Sequence, residues 1–112
     1  MIIEKPWGRE EILEKNDKYM LKKLTMFEGK RCSLQYHNIK TETIYVLFGQ
    51  LLVWSGSDKN KLEPKTLRQF ESITILPKVI HRMEAIKNCV YLEASTPEID
   101  DVVRLEDDYK RI

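Results

Sequence analysis

An all-β fold, built as a single domain over residues 1–112, is what this sequence predicts, and three observations carry the expectation. Apolar and polar residues alternate with period two in many short stretches, no helical period is sustained, and turn residues separate the stretches. Strands this short and closely spaced satisfy their edges by stacking into a sandwich or closing into a barrel.

The elements follow in order. Alternation predicts strands over Tyr19 to Met26, Arg31 to Tyr36, Thr43 to Phe48, Leu51 to Trp54, Phe70 to Leu76 and Cys89 to Ala94. Turns are expected at Glu28-Gly29, Gly49, Ser55 to Asp58, Pro64 and Pro77, where glycine, proline and short polar residues interrupt the pattern. Glu10 to Lys15 has helical propensity, and Leu105 to Arg111 is polar enough for a loop or a short terminal helix; the pattern decides neither.

Bulk properties narrow the function. The 112 residues carry nineteen lysines and arginines against eighteen acidic residues, for a net charge of +1, with no long block of either sign. That balance gives no footprint for nucleic acid or an anionic membrane surface. No apolar run approaches the roughly 20 residues needed to span a bilayer, and the opening Met1-Ile2-Ile3-Glu4-Lys5-Pro6 lacks the order of a secretory signal. A cytoplasmic location is therefore expected. Cys32 and Cys89 lie in apolar stretches without metal-knuckle spacing and read as reduced, buried thiols.

The chain has two histidines, and each has ligand-capable neighbours. In the strand from Arg31, period two puts Arg31, Ser33, Gln35 and His37 on one face and Cys32, Leu34 and Tyr36 on the other. A turn over Asn38 to Thr41 brings Glu42 back toward Gln35 and His37, while His81, after a turn at Pro77 to Ile80, has to arrive from another strand pair. Two imidazoles, a carboxylate and an amide oxygen suit one borderline divalent ion, zinc first, with iron(II), manganese and nickel also compatible. The spacing alone is equally compatible with solvated strand residues, a surface histidine and a turn cap.

These residues resemble the first cupin motif: Gly29, five residues, Gln35-Tyr36-His37, four residues, Glu42, six residues and Gly49, with glutamine where many cupins carry the first histidine. Pro77 to His81 resembles a shortened second motif. Within the cupins the chain resembles the mannose-6-phosphate isomerase domain of the type II family, through Lys5-Pro6-Trp7-Gly8, Ser33 to His37, and Asp100 to Tyr109. The resemblance implies a double-stranded β-helix, a jelly-roll-like barrel that pairs as a homodimer.

It also implies a metal-dependent aldose–ketose isomerase acting on a small sugar phosphate. Gln35, His37, Glu42 and His81 are then the metal ligands, Lys40, Glu42 and Arg104 the catalytic residues, and Arg31, Lys40 and Arg82 the phosphate contacts. The guanylyltransferase domain that often precedes this one is not in the sequence. After the metal strand the family usually shows arginine, a small residue, glutamate, histidine and tryptophan, whereas this chain reads Lys40-Thr41-Glu42-Thr43-Ile44. Lysine lacks arginine's two-pronged hydrogen bonding, and threonine carries no proton near neutral pH. The rival readings are a cupin that binds metal and a sugar or nucleotide sugar without turnover, and an iron-dependent oxygenase.

Overall fold

The computed structural model describes residues 1–112. It has eleven strands and no helix: β1 (Ile2–Lys5), β2 (Gly8–Lys15), β3 (Met20–Met26), β4 (Leu34–Tyr36), β5 (Glu42–Phe48), β6 (Leu51–Gly56), β7 (Glu63–Leu67), β8 (Ser72–Ile75), β9 (Ile80–Ala85), β10 (Cys89–Ser95) and β11 (Val103–Glu106). Every pairing is antiparallel, in a six-stranded sheet of order β1-β2-β3-β10-β5-β8 and a five-stranded sheet of order β11-β4-β9-β6-β7. No helix is long and apolar enough to cross a membrane.

The inward face of each central strand changes character along its length. On β5, Glu42 precedes Ile44 and Val46; on β9, His81 precedes Met83 and Ala85; on β10, running the other way, Cys89 and Tyr91 precede Glu93. The apolar halves meet at one end of the barrel in a core that includes Trp7, Leu24, Met26, Ile44, Val46, Leu51, Val53 and Tyr91. Each of these large side chains contributes about 1.5–3 kcal/mol by leaving water. The polar halves meet at the other end and line a cavity of about 390 Å³. One end of the barrel is thus closed by hydrophobic packing, and the other is kept polar by the same strands.

Two glycines allow the sheets to close. Gly49, at φ +86°, turns β5 into β6 where an added Cβ would lie 2.1 Å from the Asn88 carbonyl oxygen. Gly8 opens β2 where a Cβ would lie 1.9 Å from the Thr25 carbonyl oxygen. Neither place accepts a side chain without moving backbone.

Several boundaries differ from expectation. Glu10 to Lys15 is the body of β2 and not a helix, because Glu10 faces inward onto the buried Lys22. Pro64 lies within β7 rather than at a turn; β7 is an edge strand, where a missing N–H goes unneeded. The strand expected from Arg31 is regular only over Leu34–Tyr36, with Arg31 in an isolated bridge to Glu84. Leu105 to Arg111 divides between the end of β11 and a turn.

Candidate metal centre

Three side chains meet at the polar end of the barrel. His37 follows β4, Glu42 opens β5 and His81 lies on β9, so both sheets contribute. All three are buried, and their ligand atoms lie within 4.8 Å of one another. The Glu42 carboxylate oxygen Oε1 is 3.2 Å from His37 Nε2 and 3.0 Å from His81 Nε2.

The far sides of the rings fix the chemistry of the near sides. His37 Nδ1 donates to the Asp101 carbonyl oxygen, and His81 Nδ1 donates to the Val79 carbonyl oxygen at 2.9 Å. A carbonyl only accepts, so each neutral ring carries its proton on Nδ1 and turns an Nε2 lone pair toward Glu42. The His81 contact lacks hydrogen-bond geometry, which leaves Nε2 buried without a partner. Two lone pairs and a carboxylate oxygen converging in a buried space require a cation or a proton between them, so the donor set fits a divalent metal ion. Burial alone would raise the pKa of Glu42, but His37, His81 and the charge of Lys40 outweigh it and hold it well below the ordinary value. Burial likewise opposes charge on His37, and the hydrogen bond and charge of Glu42 reverse that, holding its pKa above the ordinary value.

Gln35 lies in register with His81 on one side and with Arg104 on the other, across β11, β4 and β9. Its amide oxygen accepts from Ser33 Oγ at 2.8 Å, and both residues line the cavity. The four residues expected as ligands therefore come to the same end of the barrel, with His37, Glu42 and His81 as the tight group.

The six-stranded sheet supplies a run of alternating charges that the sequence pattern did not reveal. Lys40 Nζ lies 3.6 Å from Glu42 Oε2 and donates to Glu93 Oε2 at 3.1 Å. Lys22 Nζ is 4.0 Å from the same Glu93 oxygen and is in direct contact with Glu10, which Lys5 approaches at 3.6 Å. Burial, then the charge of Glu42, push the Glu93 carboxyl up to about 7, while Lys22, Lys40 and Lys5 help hold Glu10 below its usual value against burial. Glu10, Lys22 and Glu93 sit at inward positions of β2, β3 and β10, where an amphipathic strand would have carried apolar residues.

The four cations expected at the site, as catalytic residues or phosphate contacts, separate into two groups. Arg104 lines the cavity, makes no ion pair and keeps a buried Nε without a partner. Lys40 lines it too, but is 5% exposed and held between two carboxylates. Arg31 and Arg82 do not line it. Arg31 grips Asp108 through two bonds of 2.6 and 3.0 Å, and Arg82 donates to the Cys32 carbonyl at 2.9 Å and approaches Asp108 at 3.9 Å. Arg31 was expected on the metal-facing side; the irregular backbone before β4 turns Cys32 and Ser33 to the cavity and sends Arg31 outward. With the Tyr109 hydroxyl bonded to the Arg31 carbonyl at 2.9 Å, these arginines pin the C-terminal segment to the outside of the five-stranded sheet.

A second strap crosses the site. The Asp101 carboxylate accepts from the backbone N–H groups of Asn38, Ile39 and Lys40 at 3.0, 2.7 and 2.9 Å, which lowers its pKa to about 2. The same residue's carbonyl orients His37. A carboxylate so far along the chain gives no local sign of this role.

A double-stranded β-helix with a buried His–Glu–His group at its open end defines a cupin. Residues 1–107 match the family model described as Mannose-6-phosphate isomerase C-terminal, and the chain belongs to that family. It is 29% identical over 120 residues to the mannose-1-phosphate guanylyltransferase ManC of Salmonella typhimurium, covering 98% of this chain and 23% of the relative, so it spans about a quarter of that protein's length. Among solved structures it is similar to the capsular polysaccharide assembling protein CapF of Staphylococcus aureus, with a TM-score of 0.82 and 16% identity over 95% of this chain and 31% of the other. It is also similar to an oxalate decarboxylase of Bacillus subtilis whose Mn(II) centres have been characterised, with a TM-score of 0.79 and 16% identity over 93% of this chain and 29% of the other.

Proposed function

We propose that this protein is a metal-dependent cupin acting on a sugar phosphate, as an aldose–ketose isomerase of the mannose-6-phosphate type. One observation carries the reading: two imidazole nitrogens and one carboxylate oxygen converge at 3.0 and 3.2 Å at the head of a polar cavity that also holds the unpaired guanidinium of Arg104. Family membership gives the carbohydrate direction.

His37, Glu42 and His81 would hold the ion, with Gln35 beside them. When bound, a divalent ion polarises sugar oxygens on which negative charge develops during enolisation. Arg104 is the group suited to the phosphate, since its guanidinium is not neutralised by an acid. Glu93, a cavity carboxyl whose pKa is pushed up to about 7 by burial, is suited to move a proton between the first two sugar carbons near neutral pH. Five basic against four acidic cavity residues leave a field that favours an anionic substrate.

A second reading, binding of a sugar phosphate without turnover, is favoured by the residues around Glu42. Thr43 points outward and its hydroxyl pairs with that of Thr74 at 2.9 Å, while Ile44 is fully buried in the core. The positions at which the family usually has histidine and tryptophan thus offer no proton carrier and no aromatic wall. The deciding experiment incubates metal-loaded protein with mannose 6-phosphate and follows fructose 6-phosphate. Isomerase function predicts product well above a Glu42→Ala control; a silent assay with calorimetric binding of the substrate supports the binding module. A homodimer belongs to the same proposal and is tested by light scattering.

A further inference from the structure

We infer that Lys40 is a positioning residue that limits Glu42 to one metal-facing oxygen, and that it is not a substrate contact. The inference rests on the proposed metal reading. Both oxygens of Glu42 have distinct surroundings: Oε1 faces the two histidine nitrogens at 3.0 and 3.2 Å, and Oε2 faces the Lys40 ammonium at 3.6 Å. Lys40 is itself held by Glu93 at 3.1 Å and by burial, being 5% exposed. Its backbone N–H is tied to Asp101 at 2.9 Å, so the main chain that carries the side chain is anchored as well as the head.

An ammonium in that place acts in two ways. It sets a fixed positive charge beside Oε2, which disfavours a second cation there, leaves Oε1 to meet a metal ion and keeps Glu42 from chelating through both oxygens. One further coordination position then stays open for substrate oxygens. Moving Lys40 to a phosphate would strip Glu42 and Glu93 of a shared buried counter-ion, whereas Arg104 has no such obligation.

The test uses the full chain and its Lys40→Met and Lys40→Arg variants, titrated with Mn(II) and followed by water proton relaxation, with Co(II) absorption as a second signature. The parent and Lys40→Arg bind one equivalent of Mn(II) with matching relaxation and spectra. Lys40→Met binds Mn(II) at least as tightly, because a nearby positive charge is gone, but shows weaker relaxation enhancement and weaker Co(II) absorption as Oε2 takes an open position. Lys40→Gln, which keeps a polar head in the buried place, carries the comparison if the methionine variant does not fold. Parent-like signatures in Lys40→Met together with lost affinity for inorganic phosphate would overturn the inference and return Lys40 to the substrate. A parent that binds neither metal would overturn the metal reading itself, and with it this one.

Discussion

Replacing Lys22 by methionine tests whether the charges beneath the cavity hold the barrel together. Lys22 is 6% exposed, in contact with Glu10 and 4.0 Å from Glu93. Its removal leaves Glu10 buried with only Lys5 at 3.6 Å, and leaves Glu93 with Lys40 alone. Breaking one side of a buried pair costs about 3–5 kcal/mol, because the remaining charge keeps its desolvation cost and loses its compensation. For a chain of 112 residues, an unfolding entropy near 2.1 cal/mol/K per residue makes each kcal/mol worth about 4 °C, so Tm falls by about 12–20 °C. The assay is thermal and urea unfolding by circular dichroism, on the parent, Lys22→Met, Glu10→Leu and the double variant. The double variant is more stable than Lys22→Met, since it leaves no orphaned carboxylate at Glu10. A single variant within about 1 kcal/mol of the parent, or a double variant whose loss equals the sum of the singles, would refute the reasoning.

Three further outcomes follow from the same geometry. Ile44→Ala, at a fully buried core position beneath Glu42, lowers unfolding free energy by about 2–5 kcal/mol in urea titration. Arg104→Met weakens calorimetric binding of mannose 6-phosphate to metal-loaded protein by about tenfold or more while leaving metal affinity unchanged, as loss of a charge-assisted contact requires. The Asp107 carboxyl, held down to about 2 by hydrogen bonding to Arg111, contributes stability that is present above its unfolded value near 3.8 and is lost as pH falls through about 2. Asp107→Asn therefore flattens the acid limb of the stability profile in that window and leaves the profile above it parallel to that of the parent.

Much of the frame was legible in the sequence because it rests on period two. The alternation of Met20, Lys22, Leu24 and Met26, or of Cys89, Tyr91 and Glu93, is that of strands with one buried face, and the structure keeps it. The spacing from Gln35 to Glu42 implied that these side chains meet, since a short turn joins their strands. Placing His81 beside them required the second sheet, which no local pattern supplies.

What stayed hidden depends on partners distant in the chain. Lys22 and Glu93 share the inward faces of their strands with apolar residues, and nothing local to either strand shows that they are held there by pairing with one another and with Glu10. Arg31 read as an inward cation because strict alternation was carried through a segment whose backbone is irregular. Asp101 lies 64 residues from His37, and nothing near either one signals that a carbonyl fixes the ring while a carboxylate caps the following turn. Arg104 was legible through resemblance, and its unpaired Nε through structure alone.

Metal stoichiometry tests the central claim most directly. Protein purified without added metal, stripped with chelator and titrated with Zn(II) and Mn(II), is predicted to take up one equivalent and to gain thermal stability, with both effects lost in His81→Ala and Glu42→Gln. Uptake of no metal by the parent, or uptake undiminished in both variants, would contradict the assignment of His37, Glu42 and His81 as a metal centre.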